Sequence, residues 1–176
     1  LHQLQQKIQI AFKDQELLKN AFVHRSYLNE HKDYKGPSNE RLEFLGDAVL
    51  SIVVSDFLFT QLPDVQEGQL TQFRASLVRT ETLAAIAEKL ELGSYLYLSK
   101  GEEDSKGRIN NSILANTYEA LIGSIYLDQG LAKASDFINK TILKEWRLLI
   151  ESAVVDHKSK LQEVLQKKYH KSPVYN

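Results

Sequence analysis

Apolar residues recur at three- and four-residue spacing along most of the chain, a pattern typical of helices that pack one face against a core. Three prolines and eight glycines are the main interruptions among the 176 residues. Two polar stretches, 31–39 and 99–111, lack the periodicity and are predicted as exposed loops. The pattern elsewhere predicts helices over residues 16–23, 40–62, 70–90, 112–128 and 131–152. We therefore expect an all-α fold.

The strongest helical pattern, over 40–62, also carries start and stop signals. Asn39 stands where an N-cap residue is preferred, and Pro63 cannot continue the helix. Gly93 is predicted to end the helix over 70–90, because glycine accepts the left-handed conformation common at that position. In the helix predicted over 40–62, the apolar stripe consists of Leu42, Leu45, Val49 and Ile52. This stripe should face the core.

The composition changes near residue 156. Residues 156–176 contain five lysines against two acids, whereas residues 1–155 contain 17 Lys and Arg against 21 Asp and Glu. One helix, predicted over 158–169, and a short turn cannot bury a core alone. We therefore expect one complete domain over residues 1–150, followed by the N-terminal part of a second, basic domain over 156–176 that is loosely attached to the first.

Composition and charge exclude several classes of protein. A hydrophobic content of 43% with a formal net charge of −1 is not that of a disordered chain. The absence of cysteine excludes disulfides, thiolate metal sites and cysteine nucleophiles, so any metal must be held by oxygen or imidazole ligands. No apolar run approaches the roughly 18 residues of a membrane span, and the first residues lack the order of a signal peptide. We expect a soluble, cytoplasmic protein with no membrane partner.

Three acidic residues, Glu40, Glu43 and Asp47, share one face of the helix predicted over 40–62. At about 100° per residue they fall within roughly 60° of arc, away from the apolar stripe. Like charges at this spacing repel one another, and a divalent cation such as Mg²⁺ would offset the repulsion. The alternative is a solvated acidic face with no bound metal, since negative charge is favoured near a helix N-terminus. The spacing alone leaves both interpretations open.

A second polar pair, Asn116 and Glu119, lies three residues apart on the helix predicted over 112–128. Gly46 and Gly123 each stand inside an apolar helix, where glycine costs about 1 kcal/mol unless packing or function requires it. We expect the two helices to pack closely at these glycines. The side chains that would then converge on one oxygen-lined site are Glu43, Asp47, Asn116 and Glu119. The alternative is that Asn116 and Glu119 only form hydrogen bonds across the helix pair.

Four stretches of the sequence together resemble bacterial ribonuclease III. The signature over 39–50 reads NERLEFLGDAVL, and its companions read AFVHRSYLNE before it and EGQLTQFRASLVR and ILANTYEALIGSIYLDQG after it. The resemblance is specific, because most positions around the acids match, and it covers residues 1 to about 150. The later stretch DHKSKLQEVLQKKY resembles the first helix of the double-stranded RNA-binding domain that follows in this family. A motif in its expected helical context favours the metal-site interpretation of the acids.

The resemblance implies an all-helical endonuclease domain that forms a homodimer and holds double-stranded RNA in a valley. It implies Mg²⁺ as the cofactor, with Mn²⁺ as a substitute, and cleavage to 5′-phosphate and 3′-hydroxyl ends in ribosomal and messenger RNA processing. By position, Asp47 and Glu119 are catalytic. The metal ligands carried over are Glu43, Asp47, Asn116 and Glu119. Glu40 and Glu67 match the auxiliary acids near the dimer interface.

The sequence departs from the family's pattern at Asn116, where the motif normally has Asp. An amide oxygen can bind a metal but carries no full charge, so Mg²⁺ affinity should fall unless an acid elsewhere compensates. The alternative function is therefore a catalytically impaired protein that binds double-stranded RNA or serves dimerisation. In either case, the residues expected to bind RNA in the second domain are Lys158, Lys160, Lys167 and Lys168.

Two further residues carry predictions of their own. His24, in the HRS stretch, suggests a general base, although a lone histidine near a helix end is more often structural. Phe44, next to the signature acids, is expected to be partly buried between the subunits of the dimer.

Overall fold

The computed structural model describes residues 1–152. The predicted second domain over 156–176, with its helix and its four RNA-binding lysines, lies outside the described residues. The α-helices are α1 (His2–Ile8), α2 (Gln15–Asn20), α3 (Arg25–Glu30), α4 (Glu40–Gln61), α5 (Glu67–Val78), α6 (Thr80–Lys89), α7 (Lys100–Asp104) and α8 (Asn111–Thr141). Short 3₁₀ helices span Leu92–Tyr95, Gly107–Ile109 and Leu143–Glu145, and residues 146–152 are again helical.

The described residues contain no strand, only an isolated parallel bridge between Val23 and Tyr97. The predicted all-α fold is confirmed. In this part of the chain, no helix is long and apolar enough to span a membrane.

The two longest helices, α4 and α8, cross at a point where neither carries a side chain. A Cβ atom on Gly46 would lie 1.8 Å from the carbonyl oxygen of Glu119, and one on Gly123 would lie 2.2 Å from that of Leu42. Only glycine permits so close an approach of two backbones. The predicted close packing at Gly46 and Gly123 is confirmed, and it fixes which residues of the two helices lie side by side.

The core surrounds this crossing. Its largest fully buried side chains include Phe22 from the α2–α3 connection, Leu50 from α4 and Tyr118 from α8. The predicted stripe of α4 is correct for Leu42 and Val49 but wrong for Ile52, which is 59% exposed. The buried arc of α4 is wide and also includes Leu50, Val53, Val54 and Leu58. This buried arc is centred on the side of α4 that carries Gly46, because α8 packs there. Ile52 lies outside the arc.

The prediction of a single helix over 70–90 is wrong. The helix is interrupted at Arg79, whose backbone is extended with φ −66° and ψ 153°. The hydroxyl of buried Thr82 donates to the carbonyl oxygen of Ser76 at 2.9 Å and accepts from Nε of Arg79 at 3.3 Å. Bonds of this kind satisfy backbone groups that a helix end leaves without partners. The break thus depends on side-chain contacts that apolar periodicity does not reveal.

Two predicted helix signals act differently in the structure. Gly93 does not end α6, since Glu91 takes the left-handed conformation with φ 58°. Gly93 instead packs against the Arg108 carbonyl, where a Cβ would lie 2.1 Å away. Asn39 precedes α4 as predicted, but its side chain is buried and donates to the carbonyl oxygen of Ala21 at 3.3 Å rather than capping the helix.

Helix α8 begins and bends at recognisable residues. The side chain of Asn110 accepts hydrogen bonds from the backbone of Ser112 at 2.9 Å and of Ile113 at 3.2 Å, which caps the helix. Gly130, with φ 84° and ψ 177°, kinks the helix where two helices were predicted to separate. The predicted loop over 99–111 is only partly correct, because it contains α7.

Candidate active-site cleft

A polar cleft of about 560 Å³ opens where the N-terminal ends of α3, α4 and α8 meet α7. Its lining residues are His24, Arg25, Asn39, Glu40, Glu43, Glu102, Asn110, Ser112, Ile113 and Asn116. Three predicted site residues, Glu40 and Glu43 from α4 and Asn116 from α8, therefore share one cavity. The α4–α8 crossing holds them together.

The remaining acids of the predicted site, Asp47 and Glu119, do not line the cleft but are coupled to it electrostatically. Burial raises the pKa of Glu119 to about 7, and repulsion from Asp47 and then from Glu43 adds to the rise. Burial also raises the pKa of Glu43, with further contributions from Glu40 and Asp47. The four carboxylates thus form one interacting set across α4 and α8, which we call the acid set.

Little positive charge offsets the acid set. Arg25 forms an ion pair with Glu40 at 3.8 Å, and both side chains are largely exposed. Within residues 1–152 no ion pair reaches Glu43, Asp47 or Glu119. The partly buried carboxylates of Glu43 and Glu119, without such a partner, favour either a bound cation or protonation.

The donor chemistry of the acid set and Asn116 suits a hard divalent cation, because every ligand atom is a carboxylate or amide oxygen. Across the described part of the chain, no group of three or more Asp, Glu, His or Cys side chains closes to metal-binding distance. Mg²⁺ commonly binds through only one or two carboxylates and completes its shell with water and substrate phosphates. These residues therefore fit a hydrated cation and do not fit a closed protein cage.

Glu67 lies apart from the other predicted site residues. It lines a separate groove of about 470 Å³ between α4 and α5, together with Phe59 and Arg74. Its carboxylate accepts a hydrogen bond from the Thr71 hydroxyl at 3.2 Å. A single chain thus does not bring Glu67 into the cleft with Glu40.

Several cleft residues were not among the predicted ligands. Glu102 comes from α7, inside a segment predicted as a solvated loop, and Asn110 is the cap of α8. The structural role predicted for His24 is confirmed, because Nδ1 of His24 accepts a hydrogen bond from the backbone of Ser26 and caps α3. Asn110 could have been found from its capping position, whereas nothing in the local sequence places Glu102 beside α4.

Comparison with known proteins agrees with this architecture. Residues 14–146 match the family described as Ribonuclease-III-like. Ribonuclease 3 of Enterococcus faecalis is 45% identical over 166 residues, which cover 94% of this chain and 72% of that protein. Ribonuclease 3 of Anoxybacillus flavithermus is 46% identical over 165 residues, with 94% and 69% covered.

A solved structure shows the same similarity in three dimensions. The nuclease domain of ribonuclease III from Campylobacter jejuni, in which a flexible region is involved in dimer formation, aligns with a TM-score of 0.74 and 40% identity. The alignment covers 80% of this chain and 94% of that one. The α4–α8 crossing and its acid set lie inside the matched family region. The chain therefore belongs to the ribonuclease III family.

Proposed function

We propose that the protein is a double-strand-specific endoribonuclease that hydrolyses RNA phosphodiesters with a divalent cation, in the processing of ribosomal and messenger RNA. The observation that carries the proposal is the acid set, in which burial and then repulsion from Asp47 and Glu43 raise the pKa of Glu119 to about 7. Such a set is costly to maintain and is typical of functional sites. Family membership agrees with this reading, since the relatives named above are ribonucleases.

In this proposal the cation is Mg²⁺, with Mn²⁺ as a substitute. The residues that would hold it are Glu43, Asp47, Asn116 and Glu119. When bound, a divalent cation supplies an activated water and offsets the negative charge of a phosphodiester. The family's cleavage to 5′-phosphate and 3′-hydroxyl ends is part of the same proposal.

The chain's own residues have distinct roles in the proposed reaction. Glu119 has a pKa of about 7 without metal, and a bound cation would hold its carboxylate ionised, so Glu119 is catalytic in this proposal through the cation that it helps to bind. Asp47, which is exposed on α4 and coupled to Glu119, acts as the second catalytic acid. Glu40 lines the cleft, and its ion pair with Arg25 suits an auxiliary role.

We further propose that the active form is a homodimer. Three apolar side chains on one side of α4 form what we call the outer face: Phe44, Ile52 and Phe59, which are 81%, 59% and 72% exposed. Beside Phe44 lies a largely apolar groove of about 660 Å³ that includes Leu45 and Leu127. A second copy would cover this surface, and its Glu67 could then serve as the auxiliary acid that no single chain brings to its own cleft.

RNA binding in this proposal depends on charge outside the acid set. Residues 1–155 carry more acidic than basic side chains, so they are poorly suited to hold a polyanion alone. The lysines of 156–176 would supply the salt-dependent affinity for duplex RNA. A cytoplasmic location follows from such substrates.

A second function, binding or dimerisation without catalysis, is favoured by one observation. Asn116 lines the cleft beside Glu43, so the family's expected Asp is replaced where charge would matter most. A single assay separates the two functions: incubation of the chain with labelled duplex RNA and Mg²⁺ or Mn²⁺. Cleavage that is lost in Glu119→Gln supports the nuclease, whereas binding without cleavage in either cation supports the alternative.

A further inference from the structure

His24 holds a fixed position at the wall of the cleft. Its backbone N–H donates to the carbonyl oxygen of Tyr97 at 3.1 Å, next to the Val23–Tyr97 bridge. Its ring is bonded to the Ser26 hydroxyl at 2.8 Å through Nδ1. That hydroxyl in turn accepts a hydrogen bond from the backbone of Ser99 at 3.0 Å. Both the main chain and the ring of His24 are thereby anchored to the segment that leads into α7.

These bonds determine which nitrogen of the ring carries the proton. The backbone N–H of Ser26 can only donate, and it donates to Nδ1 of His24 at 3.3 Å. Nδ1 is therefore an acceptor and bears no hydrogen, so the neutral ring carries its proton on Nε2. Burial lowers the pKa of His24, with a smaller effect of Arg25 in the same direction and opposite effects of Glu102 and Glu40. The lowered pKa favours the neutral form of the ring.

The protonated nitrogen, Nε2, is available for a hydrogen bond with a bound molecule. No hydrogen bond among the described residues uses it. Every buried side-chain nitrogen or oxygen in that part of the chain does have a partner. Nε2 is therefore accessible to solvent, and the surface that His24 lines is the cleft that also contains Glu43 and Asn116. A nitrogen that carries a proton cannot accept one, which argues against His24 as the general base.

We propose that His24 contacts the substrate, with its Nε2–H donating a hydrogen bond to an acceptor oxygen of the RNA backbone in the cleft. The proposal rests on the proposed nuclease function and deepens it by naming a binding residue outside the acid set. A neutral donor suits this place, because it binds an RNA oxygen without forming an ion pair with the carboxylates of Glu43 and Glu102. The acceptor is either a ribose 2′-hydroxyl or a phosphate oxygen.

Two substitutions separate the donor from the helix cap. In His24→Asn, the short amide retains an acceptor for the backbone of Ser26, but its nitrogen cannot reach the position of Nε2. In His24→Gln, the longer amide places a donor near that position. We expect His24→Asn to unfold at the wild-type temperature while its KM for duplex RNA rises roughly threefold to tenfold, the loss of one hydrogen bond. His24→Gln should regain most of the affinity, which a purely structural role would not predict.

The chemistry of the RNA then identifies the acceptor. A duplex with single 2′-deoxy positions near the cleaved bond is compared between wild type and His24→Asn. If one deoxy position abolishes the difference between the two proteins, the acceptor is that 2′-hydroxyl. If the difference persists at every position, the acceptor is a phosphate oxygen. Wild-type kcat and KM in a normally folded His24→Asn would overturn the proposal.

A spectroscopic measurement covers the remaining cases. In the wild-type chain, imidazole ¹⁵N shifts should show Nε2 protonated and Nδ1 unprotonated, and only the Nε2–H signal should move when duplex RNA is added. This test stands even if His24→Asn does not fold, and even if the wild type binds RNA without cleaving it. Proton occupancy at Nδ1, or an Nε2–H signal unchanged by bound RNA, would refute the contact with His24.

Discussion

At the α4–α8 crossing, two backbones touch through Gly46 and Gly123, and the half-buried acids beside them have raised pKa values. On the outer face of α4 the situation is reversed, because large apolar side chains are mostly exposed to solvent. Both regions belong to the same helix. The first places charge where water is partly excluded, and the second leaves apolar surface where water is abundant.

The difference shows which part of the molecule is complete in one chain. The crossing assembles the acid set within one chain, since the close approach at Gly46 and Gly123 brings α4 and α8 together where Glu43 and Glu119 interact. The outer face, with Phe44 81% exposed beside an apolar groove, has the character of a surface that another protein covers. We therefore expect substitutions at the crossing to act on stability and chemistry within a chain, and substitutions on the outer face to act on assembly.

The largest effect should come from Gly46→Ala. The new Cβ would lie 1.8 Å from the carbonyl oxygen of Glu119, so the helices must separate. We expect a loss of about 3 kcal/mol in the free energy of unfolding. The matched control is Gly68→Ala on α5, where a Cβ meets nothing within 4 Å and a gain of up to about 1 kcal/mol is expected. Denaturant unfolding measures both, and equal midpoints would show that the crossing is not tight.

The sequence predicts more of the crossing than of the cleft walls, for a physical reason. Spacing on a helix fixes the faces of Glu40, Glu43 and Asp47, and a glycine inside an apolar helix indicates close packing. The cleft walls opposite these acids were not predictable in the same way. Glu102 is placed by α7, a helix of five residues that is too short to show periodicity.

Other features escaped prediction because they depend on contacts between distant segments. Ser26 and Ser99 are joined by one hydrogen bond across 73 residues of sequence, and this bond helps to hold His24 in the cleft. The break at Arg79 depends on a buried threonine, and Ile52 is exposed because α8 packs on another side of α4. Periodicity identifies a helix face, but it does not say which neighbour will cover that face.

On the outer face, Phe44→Ala should weaken dimerisation without unfolding the chain. If Phe44 is an anchor in the interface, its truncation costs about 2 kcal/mol, or roughly a 30-fold rise in the dimer dissociation constant. Ile109→Ala is the control, because Ile109 is 67% exposed but lies outside α4. Sedimentation of both variants at micromolar concentration measures the effect. A wild-type chain that sediments as a monomer at this concentration would contradict the assembly proposed here.

At the crossing, the raised pKa of Glu119 should make stability depend on pH when divalent cations are removed by a chelator. The folded protein holds a proton up to a pKa of about 7, whereas the unfolded chain releases it near the ordinary value of 4.5. Stability is therefore fully present below the lower value and decreases as the pH rises through about 7, and the raised pKa of Glu43 adds in the same direction. We expect a total loss of about 2 kcal/mol, reduced by partial exposure to solvent.

The control for this pH dependence is Glu119→Gln, which cannot titrate and should flatten the curve of unfolding free energy against pH. Glu67→Gln, in the other groove, should keep the wild-type curve. Added Mg²⁺ should remove most of the dependence, since a bound cation favours the ionised carboxylates. A wild-type curve that stays flat in chelator would show that the acids of the crossing are not coupled through burial.

The smallest effect concerns Asn116→Asp, which adds a formal charge to the cleft beside Glu43. If the side chain binds metal, the Mg²⁺ concentration that gives half-maximal cleavage should fall about tenfold, equivalent to about 1.4 kcal/mol. Glu119→Gln should abolish cleavage both in the wild type and in Asn116→Asp. Mn²⁺ should partly restore cleavage by the wild type, because it binds nitrogen and oxygen ligands more strongly than Mg²⁺ does. Without metal the same substitution should lower stability at neutral pH, since one more carboxylate joins a set that already repels itself. A substitution that strengthens Mg²⁺ binding but lowers stability without Mg²⁺ identifies residue 116 as a metal ligand. The measurement is the initial cleavage rate against metal concentration. If Asn116→Asp leaves that curve unchanged, Asn116 lies outside the metal site and the acid set acts without it.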